Sequence, residues 1–541
     1  MTGGAFQRLF EASRGRYVAE QLRSIQRAGE RRPLKYFNIK NEHLGQFSPS
    51  NLTGTEYPQP KDFHRKLCDL IRNAEQRVKF ASLYVGTGTG NNSEKELELL
   101  DALESFSSKE GCEIRVVMDS SRALRPVSLF QSEGKTSSAI ELHRRLQKKK
   151  KAAPKKIIKL ASCCDGTGRN GVYLFDVVRE PLKSILPSPL DEVAGVFHVK
   201  AYIVDDKLIL SGANLSEEYF SDRQDRYVIL ENGAGGLVDF YSDLIDVLCA
   251  ASNKFDGPTS SSGKRWDTSN DSERKSRLVS SLTYLFDGSK DPEISHLDED
   301  ISALAVPTFQ FPPRFFSSNQ ANKLPFLSDV ETTRNLLETF LEEYPRGSLY
   351  LSSAYLNPTR FLLPTLSRFG SNQEGGGGSF LLTAGTKSHG FSRKPGQGNG
   401  SSKRDWVPRV FEQYYQTISN ELHSGGILLY QRENWTFHAK GVWLCGGNKE
   451  NSSLPTIPNE FDIVAGIVGS GNFGERSEKR DVESNCIFLL NNSGQSGNKL
   501  QKQLKHEWNE MCPYVEPYKP SQDSSQNMFR WAHIPLLKQF F

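Results

Sequence analysis

The chain has 541 residues, 37% of them hydrophobic, 10% aromatic and 24% charged, with a mean hydropathy of −0.53. That composition excludes a disordered, collagenous or disulfide-framework protein, and the length predicts several domains or two large ones. No run approaches the roughly 18 consecutive apolar residues of a membrane-spanning helix, and the net charge of +4, 68 basic against 64 acidic residues, is too small to imply bulk attraction to nucleic acid.

Residues 1–45 read as a basic N-terminal extension. Within it, residues 1–32 carry seven arginines and three glutamates, Glu11, Glu20 and Glu30. That bias suits either a mitochondrial targeting segment or an amphipathic surface helix. The eight cysteines contain no CxxC pair, since Cys163 and Cys164 are adjacent, so free thiols in a reducing compartment are expected.

Residues 46–252 form a first domain of alternating elements. Apolar periodicity predicts strands at Val78–Tyr84, Ile114–Met118, Gly171–Phe175 and Ala201–Leu210, helices at Asp62–Glu75, Glu94–Phe106 and Ser137–Lys149, and a closing helix at Leu237–Ala251. Residues 253–275 are rich in Ser, Gly and charge without an apolar period, and read as a linker. In residues 276–541 the order restarts: helix Leu327–Glu343, strand Ser348–Ser353, helix Thr359–Phe369, and strands Phe380–Thr383 and Ile427–Tyr430. Loop insertions at Gly375–Gly378, Lys394–Ser402 and Gly446–Pro458 decorate this second domain.

The chemistry is concentrated in a repeated pattern. Phe197-His198-Val199-Lys200 and Phe437-His438-Ala439-Lys440 lie 240 residues apart, each beside or within a strand. Side chains at i and i+2 of a strand face one side, so each pair offers an imidazole next to a cation suited to phosphate oxygens. Each copy is followed by a small-residue turn ending in asparagine, Ser211-Gly212-Ala213-Asn214 and Gly469-Ser470-Gly471-Asn472. Eleven residues after each asparagine stands a carboxylate, Asp225 and Glu483. Asparagine can donate to a phosphoryl oxygen. A carboxylate can hold an imidazole Nδ1 proton and leave Nε2 free to act. A lone His-x-Lys on a strand is usually a surface pair; two matched copies, each with its Asn and acid, point to catalysis.

His198-x-Lys200-x4-Asp205 resembles the HxKx4D motif of the phospholipase D superfamily. The strings Ser82–Gly88, Arg223–Tyr227 and Trp435–Leu444 resemble the mitochondrial phosphatidylglycerophosphate synthases of that superfamily, and the likeness spans roughly residues 55–541. The second copy departs from the motif, with Cys445 where the Asp would fall. Asp205 is then expected to order its own copy, and Cys445 to be a small buried residue rather than a nucleophile.

The resemblance implies an α/β protein of two phospholipase D-like α-β-α domains related by a pseudo-twofold, with the active site at their interface. It implies transfer of the phosphatidyl group of CDP-diacylglycerol to glycerol 3-phosphate through a phosphohistidine, with no cofactor or metal. His198, Lys200, Asp205, His438 and Lys440 would be catalytic, with His198 the nucleophile. Asn214, Asn472 and Ser470 would bind phosphate, and Asp225 and Glu483 would orient the histidines. Tyr84, Gly86 and Gly88 are expected near the cytidine or phosphate pocket, and Lys387 and His389, in the loop after a second-half strand, near the acceptor's phosphate. The location implied is peripheral, on the matrix side of the mitochondrial inner membrane.

Two further segments suit an anionic membrane surface. One is the lysine run Lys148–Lys151 with Lys155, Lys156 and Lys159; the other is the aromatic tail Met528–Phe541. A solvated helix end is the more usual reading of the first, and a terminus packed on the second domain accounts for the second equally. Phosphatidylserine synthesis, phospholipid hydrolysis, DNA-end phosphodiester cleavage and a non-catalytic lipid-binding scaffold are the competing functions. The first two need the same His and Lys pairs and differ in the acceptor. The third would need a basic and aromatic groove that the sequence does not display. The fourth gives no reason for two imidazoles.

Overall fold

The structure, a computed structural model, describes residues 35–47, 58–89, 93–126, 136–147, 170–177, 194–257, 271–289, 291, 300–313, 315–316, 329–359, 362–371, 377–391, 406–446, 456–459, 461–491 and 498–520. Strand alternation builds two mixed sheets. The first runs, edge to edge, Tyr227–Leu230, Lys207–Ser211, Ala201–Val204, Arg77–Ser82, Glu113–Asp119, Gly171–Phe175, Asn253–Phe255. The second contains the same succession: Glu483–Leu490, Ile463–Gly469, Gly441–Cys445, Ser348–Ser352, Gly378–Ala384, Gly425–Tyr430, Val515–Pro517. In both, the three central strands are parallel and the flanking ones antiparallel. This is the duplicated α/β architecture that the repeat and the resemblance imply.

Each first-domain strand divides its side chains between two cores. Val116 and Met118 pack outward with Phe63, Leu67, Leu99 and Leu103 of helices Pro60–Asn73 and Glu94–Ser107. Val117, between them, turns inward, as do Ala201 and Ile203. The inner core is continuous with the second half, taking in Leu244 and Leu248 of helix Leu237–Ala250, Ala303, Tyr350 and Trp443, and Leu504 and Trp508 of helix Lys499–Met511. The second sheet's outer face is covered by helices Asp329–Glu343, Leu363–Arg368 and Trp406–Glu421. The two halves therefore share one apolar interior.

Several boundaries differ from the periodicity. Phe37–Lys40, placed in the N-terminal extension, pairs with strand Ile301–Gln310 and extends the second sheet at its edge. Asn253–Phe255, assigned to the linker, is the last strand of the first sheet, and helix Asp271–Leu285 begins before residue 276. Ala201–Leu210 is not one strand but a hairpin turning at Asp205 and Asp206. Most of the 1–45 extension, Lys148–Lys159 and Met528–Phe541 lie outside the described residues.

Candidate active site

The two motif copies meet where the halves cross-pair. Strand Arg223–Gln224 of the first half lies parallel to Thr436–Phe437 of the second, and Phe197 bridges Val482. The His438 amide donates to the Gln224 carbonyl at 2.8 Å, and the His198 amide donates to the Val482 carbonyl at 2.9 Å. Gln224 and Val482 each immediately precede a carboxylate, so the pairing delivers each acid to the other half's histidine.

His198 Nδ1 lies 3.0 Å from both carboxylate oxygens of Glu483. His438 Nδ1 lies 2.6 Å from Asp225 Oδ2. All four groups are buried. A carboxylate on Nδ1 fixes the tautomer whose Nε2 carries a lone pair. Burial, then the ammonium groups of Lys200 and Lys440, push the His198 imidazole well below its usual pKa. Burial pushes His438 down as well, reinforced by Lys440, Arg223, Lys200 and His198, so the two rings lie within electrostatic reach of one another. Both are neutral at pH 7.

Glu483 accepts from Ser470 Oγ at 2.5 Å and from Ser477 Oγ at 2.6 Å, whereas Asp225 Oδ1 accepts from the Arg226 amide at 2.8 Å. Burial raises both acids, Asp225 to about 6. Lys200 Nζ donates to the His198 carbonyl at 2.9 Å; Lys440 Nζ sits 3.0 and 3.3 Å from the two His438 ring nitrogens. Burial lowers both lysines, Lys440 to about 8. Gly212 stands where Ser470 stands in the second copy, and a Cβ there would come within 3.1 Å of Lys440 Nζ.

Asn214 and Asn472 each hold a buried carboxamide oxygen with no hydrogen-bond partner among the described residues. Asn214 Nδ2 donates to Tyr219 Oη at 2.9 Å, and Tyr219 Oη lies 3.3 Å from His438 Nε2. Ser470, expected on the phosphate, instead spends its hydroxyl on Glu483. Asp205 is not at the site. It turns the hairpin with φ of 53°, and its carboxylate accepts from the amides of Glu75, Gln76 and Arg77 at 2.8 to 3.0 Å, at the far end of strand Ala201–Val204 from Lys200. Its catalytic assignment is corrected to a fold-ordering one. In the second copy the strand runs on to Cys445, paired in register with Ser348 and fully buried.

Tyr84, Gly86 and Gly88 form the turn beside Asn214. The Gly86 amide donates to the Leu215 carbonyl, Tyr84 Oη pairs with Ser216 Oγ, and the Gly88 amide donates to Glu96. A Cβ on Gly86 or Gly88 would overlap the side chain of Glu96 or Leu97, so these glycines are required by packing. Lys387 is exposed. His389 is buried among Tyr355, Phe391 and Phe411, and the Ser388 carbonyl accepts from the Phe437 amide, which ties this loop to the residue before His438.

The sequence pattern did not single out Tyr219, Arg223, Tyr355, Ser477 or Arg226 for a role. Counting from each asparagine would have found three of them: five residues on stand Tyr219 and Ser477, nine on stand Arg223 and Asp481. Arg226 crosses into the second half. Its guanidinium pairs with Glu507 at 2.7 Å, donates to the Ile467 carbonyl, and stacks 3.8 Å from the Trp443 ring. A Cβ at residue 441 would collide with it, so Gly441 makes room for the clamp. Among the described residues, no three His, Cys, Asp or Glu side chains gather as a metal site, and no helix is long and apolar enough to cross a membrane.

No family model matches the chain. It is 27% identical over 526 residues to the mitochondrial CDP-diacylglycerol–glycerol-3-phosphate 3-phosphatidyltransferase of Gallus gallus, spanning 89% of this chain and 82% of that protein. The human enzyme of the same name is 27% identical with the same coverage. The Schizosaccharomyces pombe enzyme is 24% identical over 89% of this chain and 93% of its own. Among solved structures, phosphatidylserine synthase of Haemophilus influenzae superposes with a TM-score of 0.59 at 17% identity, covering 92% of this chain and 91% of that one. That likeness extends to the whole two-sheet fold.

Proposed function

We propose that this chain, a relative of the mitochondrial CDP-diacylglycerol–glycerol-3-phosphate 3-phosphatidyltransferases along 89% of its length, moves the phosphatidyl group of CDP-diacylglycerol to the primary hydroxyl of sn-glycerol 3-phosphate. The products are phosphatidylglycerophosphate, a precursor of phosphatidylglycerol and cardiolipin, and CMP. The observation that carries the reading is the exchange of carboxylates: Glu483 holds His198 and Asp225 holds His438, so both imidazoles address one phosphoryl centre.

His198 Nε2, which has no hydrogen-bond partner among the described residues, attacks the phosphorus that carries diacylglycerol. A P–N bond forms and the bond to CMP breaks. The pyrophosphate of the bound donor adds negative charge beside His438, which raises its pKa, and His438 Nε2–H protonates the departing CMP. Neutral His438 then takes the proton of the acceptor hydroxyl, whose oxygen attacks phosphorus as the P–N bond breaks. Two in-line displacements retain configuration. Lys200, Lys440, Asn214 and Asn472 hold the oxygens on which charge accumulates; Asn472 does so once its amide is turned to present Nδ2.

The arginine-rich N-terminal segment, the relatives' mitochondrial names and the lack of a spanning helix among the described residues support peripheral attachment to an anionic membrane on the matrix side. The test of the reaction is labelled CDP-diacylglycerol incubated with glycerol 3-phosphate or serine. Phosphatidylglycerophosphate is the expected product, and His198→Ala and His438→Ala each lower its rate by about 10³-fold or more. Phosphatidylserine as the main product, or wild-type rates from either variant, defeats the proposal.

A further inference from the structure

We propose that Arg223, Tyr355 and the loop at His389–Gly390 form the subsite that grips the phosphate monoester of the acceptor, an assignment that rests on the transfer reaction above. Arg223 replaces, at the ninth position after the asparagine, the Asp481 of the other half, so a guanidinium stands on the His438 side where the His198 side has a carboxylate. Its Nη1 donates to Tyr219 Oη at 2.9 Å, and that hydroxyl lies 3.3 Å from His438 Nε2. An acceptor whose hydroxyl reaches Nε2 thus has a guanidinium one hydroxyl group further on, the sense in which glycerol 3-phosphate sets its phosphate beyond its reacting oxygen. Lys200 and Lys440 are committed to the transferred phosphoryl group, so the second phosphate needs its own cation.

Arg223 is largely buried, and among the described residues three of its five N–H groups are used: Nε on Thr436 Oγ1, Nη1 on Tyr219, and Nη2 on Glu218. Glu218 is half exposed and can yield to a stronger anion. Facing the same spot, Tyr355 Oη makes no hydrogen bond among the described residues. A Cβ on Gly390 would lie 2.9 Å from Tyr355 Oη and 3.7 Å from Arg223 Nη2, so glycine brings the loop backbone close to both groups and a side chain here would press on them. On the residue before it, His389 is 1% exposed; the Phe391 amide donates to Nδ1, which fixes the ring proton on Nε2, where no acceptor is present among the described residues. Donors with unused capacity, Arg223 from one half of the chain and Tyr355 from the other, meeting beside Gly390, are what an anion would complete.

Steady-state kinetics of Arg223→Gln, Tyr355→Phe and Gly390→Ala test this, alongside exchange of labelled CMP into CDP-diacylglycerol, which needs no acceptor. The expected result is a KM for glycerol 3-phosphate raised roughly 10- to 100-fold in Arg223→Gln, which loses the cation, roughly 10-fold in Tyr355→Phe, which loses one hydroxyl donor to the anion, and roughly 10-fold in Gly390→Ala, whose methyl presses on Tyr355 Oη. KM for the donor stays put, and the exchange rate falls far less than acceptor affinity. Tyr355→Phe removes one hydroxyl without a partner, so it reports even where Arg223→Gln fails to fold. Unchanged acceptor KM in Tyr355→Phe and Gly390→Ala, or exchange lost in step with synthesis, overturns the subsite. Failure of the wild type to use glycerol 3-phosphate at all overturns the reaction instead, before any variant is made.

Discussion

The two halves of the site share a plan and differ in detail. Around His198, Glu483 spreads both oxygens over Nδ1 and is itself clamped by Ser470 and Ser477, while Nε2 has no partner among the described residues. Around His438, Asp225 makes a single 2.6 Å contact, Nε2 meets Tyr219, and the Lys440 ammonium lies against the ring. Duplication therefore supplied two equivalent imidazoles, and the residues five and nine places beyond each asparagine made them unequal. A rigid ring with an open Nε2 suits a nucleophile. A ring embedded among hydroxyl and cation suits proton transfer, because its basicity responds to whichever anion is bound.

Removing each ring in turn separates the two roles. A phosphatidyl donor with a p-nitrophenolate leaving group needs no protonation on departure. With it, His438→Ala releases a burst of nitrophenolate equal to the enzyme present and leaves a phosphatidyl-enzyme that denaturing gels run at neutral to alkaline pH retain as label, lost on brief acid treatment. His198→Ala gives neither burst nor label, a difference of about 10³-fold or more in the first step. Burst and label from His198→Ala, with none from His438→Ala, would exchange the two roles.

A smaller effect sharpens it. Asp225 is held up to about 6 by burial, against the pull of Lys440, Lys200 and Arg223, and Lys440 is held down to about 8 by burial. As pH falls through about 6 the Asp225 carboxylate takes a proton and no longer accepts from His438 Nδ1; as pH rises through about 8 Lys440 loses its charge. The kcat/KM profile is thus a bell between those limits, falling about tenfold per unit outside them. Asp225→Asn cannot titrate, so its slower reaction lacks the acid limb. A wild-type acid limb that persists in Asp225→Asn places the titration elsewhere.

Much of this was legible in the residues themselves. Periodicity of two and near four gave the strands and helices, because the two core faces of each strand demand alternation. The spacing of His, Lys, Asn and acid pointed to residues that the fold brings together. What spacing along one copy could not reveal is that each acid serves the opposite histidine, since Asp225 and Glu483 reach their rings only through the Arg223–Gln224 and Val482 cross-pairings. The edge strand Phe37–Lys40 was hidden for a related reason: four residues in a basic context carry too little pattern, and pairing with Ile301–Gln310 decides their state. Ser470 was misassigned because a serine in a phosphate-type turn looks the same whether its hydroxyl faces a ligand or Glu483.

The smallest effect concerns the position where the halves diverge outright, Asp205 against Cys445. Burial works to raise the Asp205 carboxyl, but the amides of Arg77, Glu75 and Gln76 hold it below the usual carboxylate range. A depressed folded pKa contributes stability that is complete above the unfolded value of about 3.9 and vanishes as pH drops through the folded one. These bonds are partly exposed, so Asp205→Asn is expected to cost only about 1 kcal/mol at pH 7, with thermal melts of variant and wild type converging below about pH 4. Activity per folded molecule changes by less than about twofold, because no ligand-facing group is altered. Cys445→Ser, in a strand already paired on both sides, gives no such pH-dependent difference. A kcat that falls with Asp205→Asn while the melting curve stays fixed would return this carboxylate to the chemistry and end the distinction between ordering and reacting residues within the first motif.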